Sequence, residues 1–218
     1  MMKDKTDRIE EVEEAEEKNH KGPLKIILGL FLVFLMVLWL VPHYGLKQNP
    51  EPDYLPSLKE LDLKTFIVPE ITSTQIKDYI QIDSEIKQAA DKIVSLSCKE
   101  TSKICNAKAI FYFVQGNFNY LNDPLSFEYY KTPHESLHSN NGDCDDGSIL
   151  LSSLLQSIGF RTRFVFVPGH VYIQVNIPEA VSSYKDEDGW INLDSTCDGC
   201  SFGEINYGYR DSKKTYLE

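Results

Sequence analysis

The pattern of apolar and polar positions changes character along this chain. The first regime has no period: LKIILGLFLVFLMVLWLV, residues 24–41, holds nothing charged or strongly polar after Lys25 and ends at Pro42. It predicts a transmembrane helix over residues 24–42, because Lys25 can snorkel and Trp39 and Tyr44 can sit at the interface of a run slightly short of ~20 residues. The second regime is helical. DSEIKQAADKIVSLS carries Ile86, Ala89, Ala90, Ile93 and Val94 at helical spacing, and SKICNAKAIFYFVQGNF repeats the pattern with Ile104, Ala107, Phe111, Val114 and Phe118. SILLSSLLQSIGF adds a third, strongly apolar helix with Gly159 at its C-terminus. The third regime alternates. RTRFVFVPGHVYIQVNI reads as two strands joined at Pro168-Gly169, and GWINLDSTC follows the charged turn KDEDG as another. In HVYIQVNI the aliphatic Val171, Ile173, Val175 and Ile177 alternate with His170, Tyr172, Gln174 and Asn176, so His170 lies opposite the aliphatic face. Helices followed by an antiparallel sheet predict an α+β fold.

Domain organisation follows from where the periods stop. Residues 1–23 form a charged tail (EEVEEAEEKNH) with almost no large apolar side chains. Residues 43–70 contain Pro50, Pro52, Pro56 and Pro69 and read as an extended spacer, which leaves residues 71–218 as the folded domain. A cleaved signal peptide is the rival for residues 24–42. The preceding region is too long and too acidic for a short basic leader, and no small-x-small cleavage site follows. Lys18, Lys21 and Lys25 flank the amino side of the span, whereas Lys47 alone lies close behind it. The positive-inside rule therefore predicts a single-pass protein of the cell membrane with a cytoplasmic N-terminus and an extracytoplasmic domain. A net charge of −11 over 218 residues argues against nucleic-acid partners, which need a basic face.

The candidate chemistry centres on NNGDCDDG, residues 140–147, which sets one thiol among three carboxylates just before the third helix. Carboxylates oppose a thiolate, yet a helix N-terminus favours one, and acids in a first turn are also what helix starts prefer. His170 and Asp194 supply the remaining parts of a nucleophilic unit if their strands run side by side: the histidine takes the thiol proton and the aspartate fixes its tautomer. DCDDG does not reproduce a calcium-loop spacing. His134 and His138, four apart in TPHESLHSN, lack a third donor in the sequence.

GDCDDGSILLSSLLQSIG, PGHVYIQV and WINLDSTC together resemble, in order and spacing, the transglutaminase-like superfamily of papain-like cysteine enzymes, over roughly residues 98–202. The likeness is closest to membrane-anchored archaeal members. It implies a helix carrying the cysteine packed on an antiparallel sheet, with Cys144 as nucleophile, His170 as general base and acid, and Asp194 as the orienting carboxylate. It further implies acyl transfer through a thioester on amide bonds of a protein or peptide, as a protease or amidase in preference to cross-linking. The chain departs from the family pattern at Tyr172 and Gln174, where many relatives carry tryptophan and glutamate. The Cys144 backbone N–H is a natural oxyanion donor at a helix start, with Gln115 and Trp190 as side-chain candidates. The alternative class is an inactive domain of this type serving as an extracellular binding or structural module.

Of five cysteines, Cys98, Cys105, Cys197 and Cys200 remain once Cys144 is set aside. An even remainder outside the cytoplasm favours two disulfides. The alternative is a zinc site formed by the same four, since CDGC resembles a zinc-knuckle turn. No other cofactor is expected.

Overall fold

Why the helices form where they do is visible at their first turns. In the computed structural model, which describes residues 23–41, 49–63, 68–123, 129–186 and 188–218, each main helix of the domain starts on a side-chain cap. Helix α2 (Ser84–Ser97) follows Asp83, whose carboxylate accepts the Glu85 and Ile86 backbone N–H groups. Helix α3 (Lys103–Asn117) follows Ser102, whose hydroxyl accepts from the Cys105 N–H. The short α4 (Pro133–Ser139) has Thr132 and Glu135 in a reciprocal capping box and proline at its first position, and ends on Asn140 in the left-handed region. Helix α5 (Cys144–Ser157) starts on Asp143 and ends at Ile158, with Gly159 beyond it at φ +90°.

The chain divides into two compact units, residues 1–48 and 49–218. In the first, helix α1 (Pro23–Val41) is long and apolar enough to cross a membrane, a property that a signal sequence near an N-terminus shares. The charged tail up to residue 22, with Lys18 and Lys21, lies outside the described residues, as do residues 42–48.

In the second unit α3 is the central helix. Its buried side chains include Ile104, Ile110, Phe111, Phe113 and Val114, and even Lys108 is fully enclosed. Strands β3 (Arg161–Val167), β4 (His170–Asn176), β5 (Trp190–Leu193) and β6 (Thr215–Leu217) make one antiparallel sheet in the order β5-β4-β3-β6. The β3–β4 hairpin pairs Val167 with His170 across the Pro168-Gly169 turn, and β4 pairs Gln174 with Asn192. Helix α5 packs against β3 and β4. Its Ile149, Leu150, Leu151, Leu154 and Leu155 join Val171, Ile173 and Val175 in one core. A smaller core covers the opposite sheet face, where Val165, Val167 and Tyr172 meet Ile205 and Tyr209 from the C-terminal segment. The α+β expectation holds, with β4 buried on both faces. Two-residue strands β1 (Asn119–Tyr120) and β2 (Asn141–Gly142) pair in parallel, tying the end of α3 to the loop before Cys144.

One boundary moves. Residues 49–63, read from their prolines as part of a free spacer, belong to the domain. Leu61 is fully buried, the Asp53 N–H donates to the Ser97 carbonyl, and the Asn117 side chain bonds both the Leu58 N–H and the Pro56 carbonyl. The enclosed Lys108 ammonium completes the attachment by donating to Glu51, Asn49 Oδ1 and the Tyr184 hydroxyl. A buried charge needs such partners, and here they come from a proline-containing segment that has no period of its own.

Candidate active site

The first turn of α5 is built by acids. Asp143 Oδ1 accepts the Asp145 N–H at 3.1 Å and the Asp146 N–H at 3.4 Å, while Asp146 Oδ2 reaches back to the Asp143 N–H. Asp146 is fully buried and also accepts the Lys131 N–H at 2.7 Å, with the Lys131 ammonium 3.5 Å away. Burial raises its carboxyl to about 6; the Lys131 N–H lowers it, Asp143 raises it, and the Lys131 charge and the Asp143 N–H lower it again. Two of the three acids around the thiol therefore have structural work as caps. Gly142 is required because a Cβ there would collide with Asp146 and with Phe118 Cζ at 2.8 Å.

Cys144 is half-buried at the first helical position, and it is the free cysteine among the described residues. Burial pushes its thiol up to about 12. Asp145, with Oδ1 3.8 Å from Sγ, pushes in the same direction, the Val171 backbone N–H opposes, Asp143 adds to the rise, and the cysteine's own N–H opposes it. Of the two opposing influences legible in the sequence, desolvation and the adjacent carboxylates outweigh the backbone donors of the helix start.

The Val171 N–H that acts on the thiol belongs to the residue after His170, on the strand against which α5 packs. The His170 Nε2–H donates to Asp194 Oδ2 at 2.9 Å, and Thr196 Oγ1 donates to the other carboxylate oxygen at 3.1 Å. Asp194 is 1% exposed, just past the end of β5. Tyr209 stacks on the imidazole with ring centroids 4.9 Å apart at 14°. A Cβ on Gly147 would lie 3.1 Å from Ser195 Oγ, so the first turn of α5 presses against the residue following Asp194. Burial raises the Tyr120 hydroxyl, and Cys144, Asp143, Asp145 and Tyr209 act on it in that same direction, which places its ring at this site. An adjoining cleft is lined by Gln115, Phe118, Tyr120, Thr196 and Asp198.

Neither side-chain candidate for the oxyanion hole stands in that role. Both bonds from the Gln115 amide nitrogen go to main chain, to the Cys197 carbonyl at 3.1 Å and the Cys200 carbonyl at 2.9 Å, so Gln115 holds the loop behind Asp194. Trp190 opposes Asn176 at the far end of β4 from His170, with the Arg163 guanidinium 4.4 Å from its ring centre. Gln174 is buried there, accepting from Arg163 Nε at 2.7 Å and donating to Asp186 and Asn192. Tyr172 is buried on the His170 face, and its hydroxyl has no hydrogen-bond partner among the described residues. No periodic pattern in the sequence marks Tyr209 or Tyr120.

Cys98 lies at disulfide distance from Cys105, and Cys197 from Cys200. One pair sits at the start of α3. The carbonyls of the other are held by Gln115, ten residues and about 15 Å of helix further on.

Residues 87–195 match the model of the transglutaminase-like superfamily, half of the chain, and the chain belongs to that family. Its fold sets a cysteine-bearing helix on an antiparallel sheet. Among solved structures it is similar to a proposed cysteine protease from Cytophaga hutchinsonii at 16% identity and TM-score 0.40, covering 57% of this chain and 43% of that one. Calcium-bound LapG from Legionella pneumophila is similar at 19% identity and TM-score 0.43, covering 75% and 84% respectively. A proposed protease from Parabacteroides distasonis is similar at 12% identity and TM-score 0.42, covering 54% and 25%. The chain thus spans less than half the length of the Cytophaga protein. No curated protein matches it.

Proposed function

We propose that this protein is a membrane-anchored cysteine hydrolase that cleaves amide bonds of a protein or peptide through Cys144, His170 and Asp194. The observation that carries the reading is the 2.9 Å pairing of His170 Nε2 with buried Asp194, at the start of the strand on which the Cys144 helix packs. With Nε2 committed to the carboxylate, Nδ1 is the nitrogen that accepts the thiol proton. As Sγ attacks the carbonyl carbon, the thiol proton passes to His170 and the carbonyl oxygen becomes an oxyanion facing the Cys144 backbone N–H. Collapse breaks the C–N bond, and the leaving amine takes the proton from His170. Water then attacks the thioester with His170 again as base, releasing the acid and restoring the thiol. Because burial and acids hold the resting thiol protonated, the proton moves during attack and no thiolate–imidazolium pair waits beforehand.

Helix α1 serves as the anchor, with the N-terminus cytoplasmic and the domain outside, where both cysteine pairs are disulfides. In this topology a membrane-impermeant protease added to intact cells removes the domain.

The raised thiol supports a second reading, in which the domain binds ligands without turning them over. Labelling the purified full-length protein with a vinyl-sulfone probe, followed by peptide mass spectrometry, separates the two. Stoichiometric modification of Cys144 that is lost in His170→Ala is expected of the enzyme; equal, slow labelling of both proteins would leave the binding module.

A further inference from the structure

A second histidine sits in the opposite arrangement, at the junction of α2 and α4. His134 is 1% exposed, and its Nδ1 lies 2.8 Å from Gln81 Oε1. A carbonyl oxygen can only accept, so Nδ1 carries the proton and the Nε2 lone pair points away from it. It points at two carboxylates: Asp83 Oδ2 at 3.2 Å and Glu85 Oε2 at 3.3 Å. All three donor atoms lie within 4.8 Å of one another. A lone pair facing two anions is electrostatically unfavourable unless a positive charge sits between them. A second proton, making imidazolium, would supply that charge through one N–H shared between the two carboxylates, and a metal ion would supply it by ligation. The two histidine–carboxylate separations match the edge of a tetrahedron about a metal at ~2.0–2.1 Å from each ligand, about 3.3 Å.

We infer that Asp83, Glu85 and His134 form a binding site for a zinc-like divalent cation, with water as the remaining ligand. The Gln81 carbonyl supplies the hydrogen bond to the distal ring nitrogen that metal-bound histidines ordinarily have. The carboxylates, 44% and 48% exposed, open the site to solvent on the side where a cation would enter. Asp83 holds the start of α2 through Oδ1 and presents Oδ2 to the site, so capping and ligation use different atoms. A bound cation would staple α2 to α4, the helix that leads through Asn141 and Gly142 into Cys144. Nothing in this inference depends on the proposed hydrolase chemistry.

The test uses metal-stripped full-length protein in detergent, carrying Cys144→Ser to remove the free thiol. Zinc affinity is measured by competition with a chromophoric chelator, and cobalt is added separately for its visible spectrum. One zinc equivalent should bind, and cobalt should give tetrahedral d–d bands without a thiolate charge-transfer band. Glu85→Gln and Asp83→Asn, the latter still able to cap α2, should each weaken zinc by at least about tenfold. Zinc should also raise the thermal midpoint of the parent and not of Glu85→Gln. Absence of zinc binding, or an affinity unchanged by both carboxylate variants, overturns the site.

Discussion

His170 and His134 use the same ring for different ends, and the difference lies in what each nitrogen faces. His170 pairs Nε2 with one deeply buried carboxylate at the start of the strand against which the Cys144 helix packs, an arrangement that suits moving a proton. His134 pairs Nδ1 with a neutral amide oxygen and turns Nε2 toward two half-exposed carboxylates, an arrangement that suits holding a cation. Burial alone does not separate them. Carboxylates can orient an imidazole or compete for what it binds, and the atom they face decides which.

The comparison breaks most sharply at the proposed catalytic end. Cys144→Ala and His170→Ala should each lower turnover by roughly 10⁴-fold or more while circular dichroism stays native, whereas His134→Ala should destabilise the fold and keep turnover within a few-fold at low temperature. Equal losses in all three would erase the distinction. Asp194→Asn should cost on the order of 10²–10⁴-fold through the wrong imidazole tautomer, read as kcat at constant KM.

A subtler effect concerns the acids around Cys144. With the Cys144 thiol raised to about 12, iodoacetamide alkylation of substrate-free protein should climb with pH through 9 without a plateau; a plateau near pH 6 would mean a preformed ion pair. Asp146 sets a stability trend. Its native carboxyl titrates near 6, above the unfolded value of about 4, so the native state binds the extra proton between those values. The sign is that of a contribution present at low pH and lost as pH rises from about 4 to 6. Chemical denaturation should show that loss, on the order of 3 kcal/mol, and Asp146→Asn should flatten it. The smallest expected effect is Tyr172→Phe, which removes a buried hydroxyl without a described partner and should leave stability unchanged or raise it by up to about 1 kcal/mol.

How much of this could be read from the chain differs by element. The apolar run, the helical periods and the alternation on either side of Pro168-Gly169 were legible because each element buries one continuous pattern, and Cys144, His170 and Asp194 stood out because they end or begin such elements. The acids of DCDDG were ambiguous: caps and electrostatic opponents of a thiolate look alike until Asp143 and Asp146 are seen bonding backbone. The aromatic wall was not legible, since Tyr209 lies in a segment without period. Neither was the 49–63 attachment, because proline marks an extended chain whether or not that chain lies on a surface. His134 looked isolated because its companions, Asp83 and Glu85, are some fifty residues upstream and are spaced for a helix cap.

The sheet order has a consequence for how the domain opens. Cys144, His170 and Asp194 come from α5, β4 and the end of β5, all within residues 144–194, so little loop-closure entropy separates them. Their cover comes from elsewhere. Edge strand β6 pairs with β3 at three positions only, Phe164 with Leu217, Val165 with Tyr216 and Phe166 with Thr215, and Tyr209 lies just upstream of it. Peeling of this C-terminal segment would strip Ile205 and Tyr209 from the His170 face and leave the hairpin and α5 packed, and three pairings make it an expected local opening. Native-state hydrogen exchange would register it as early release of the β6 amides, with the α5 and β4 amides protected to the level of global unfolding.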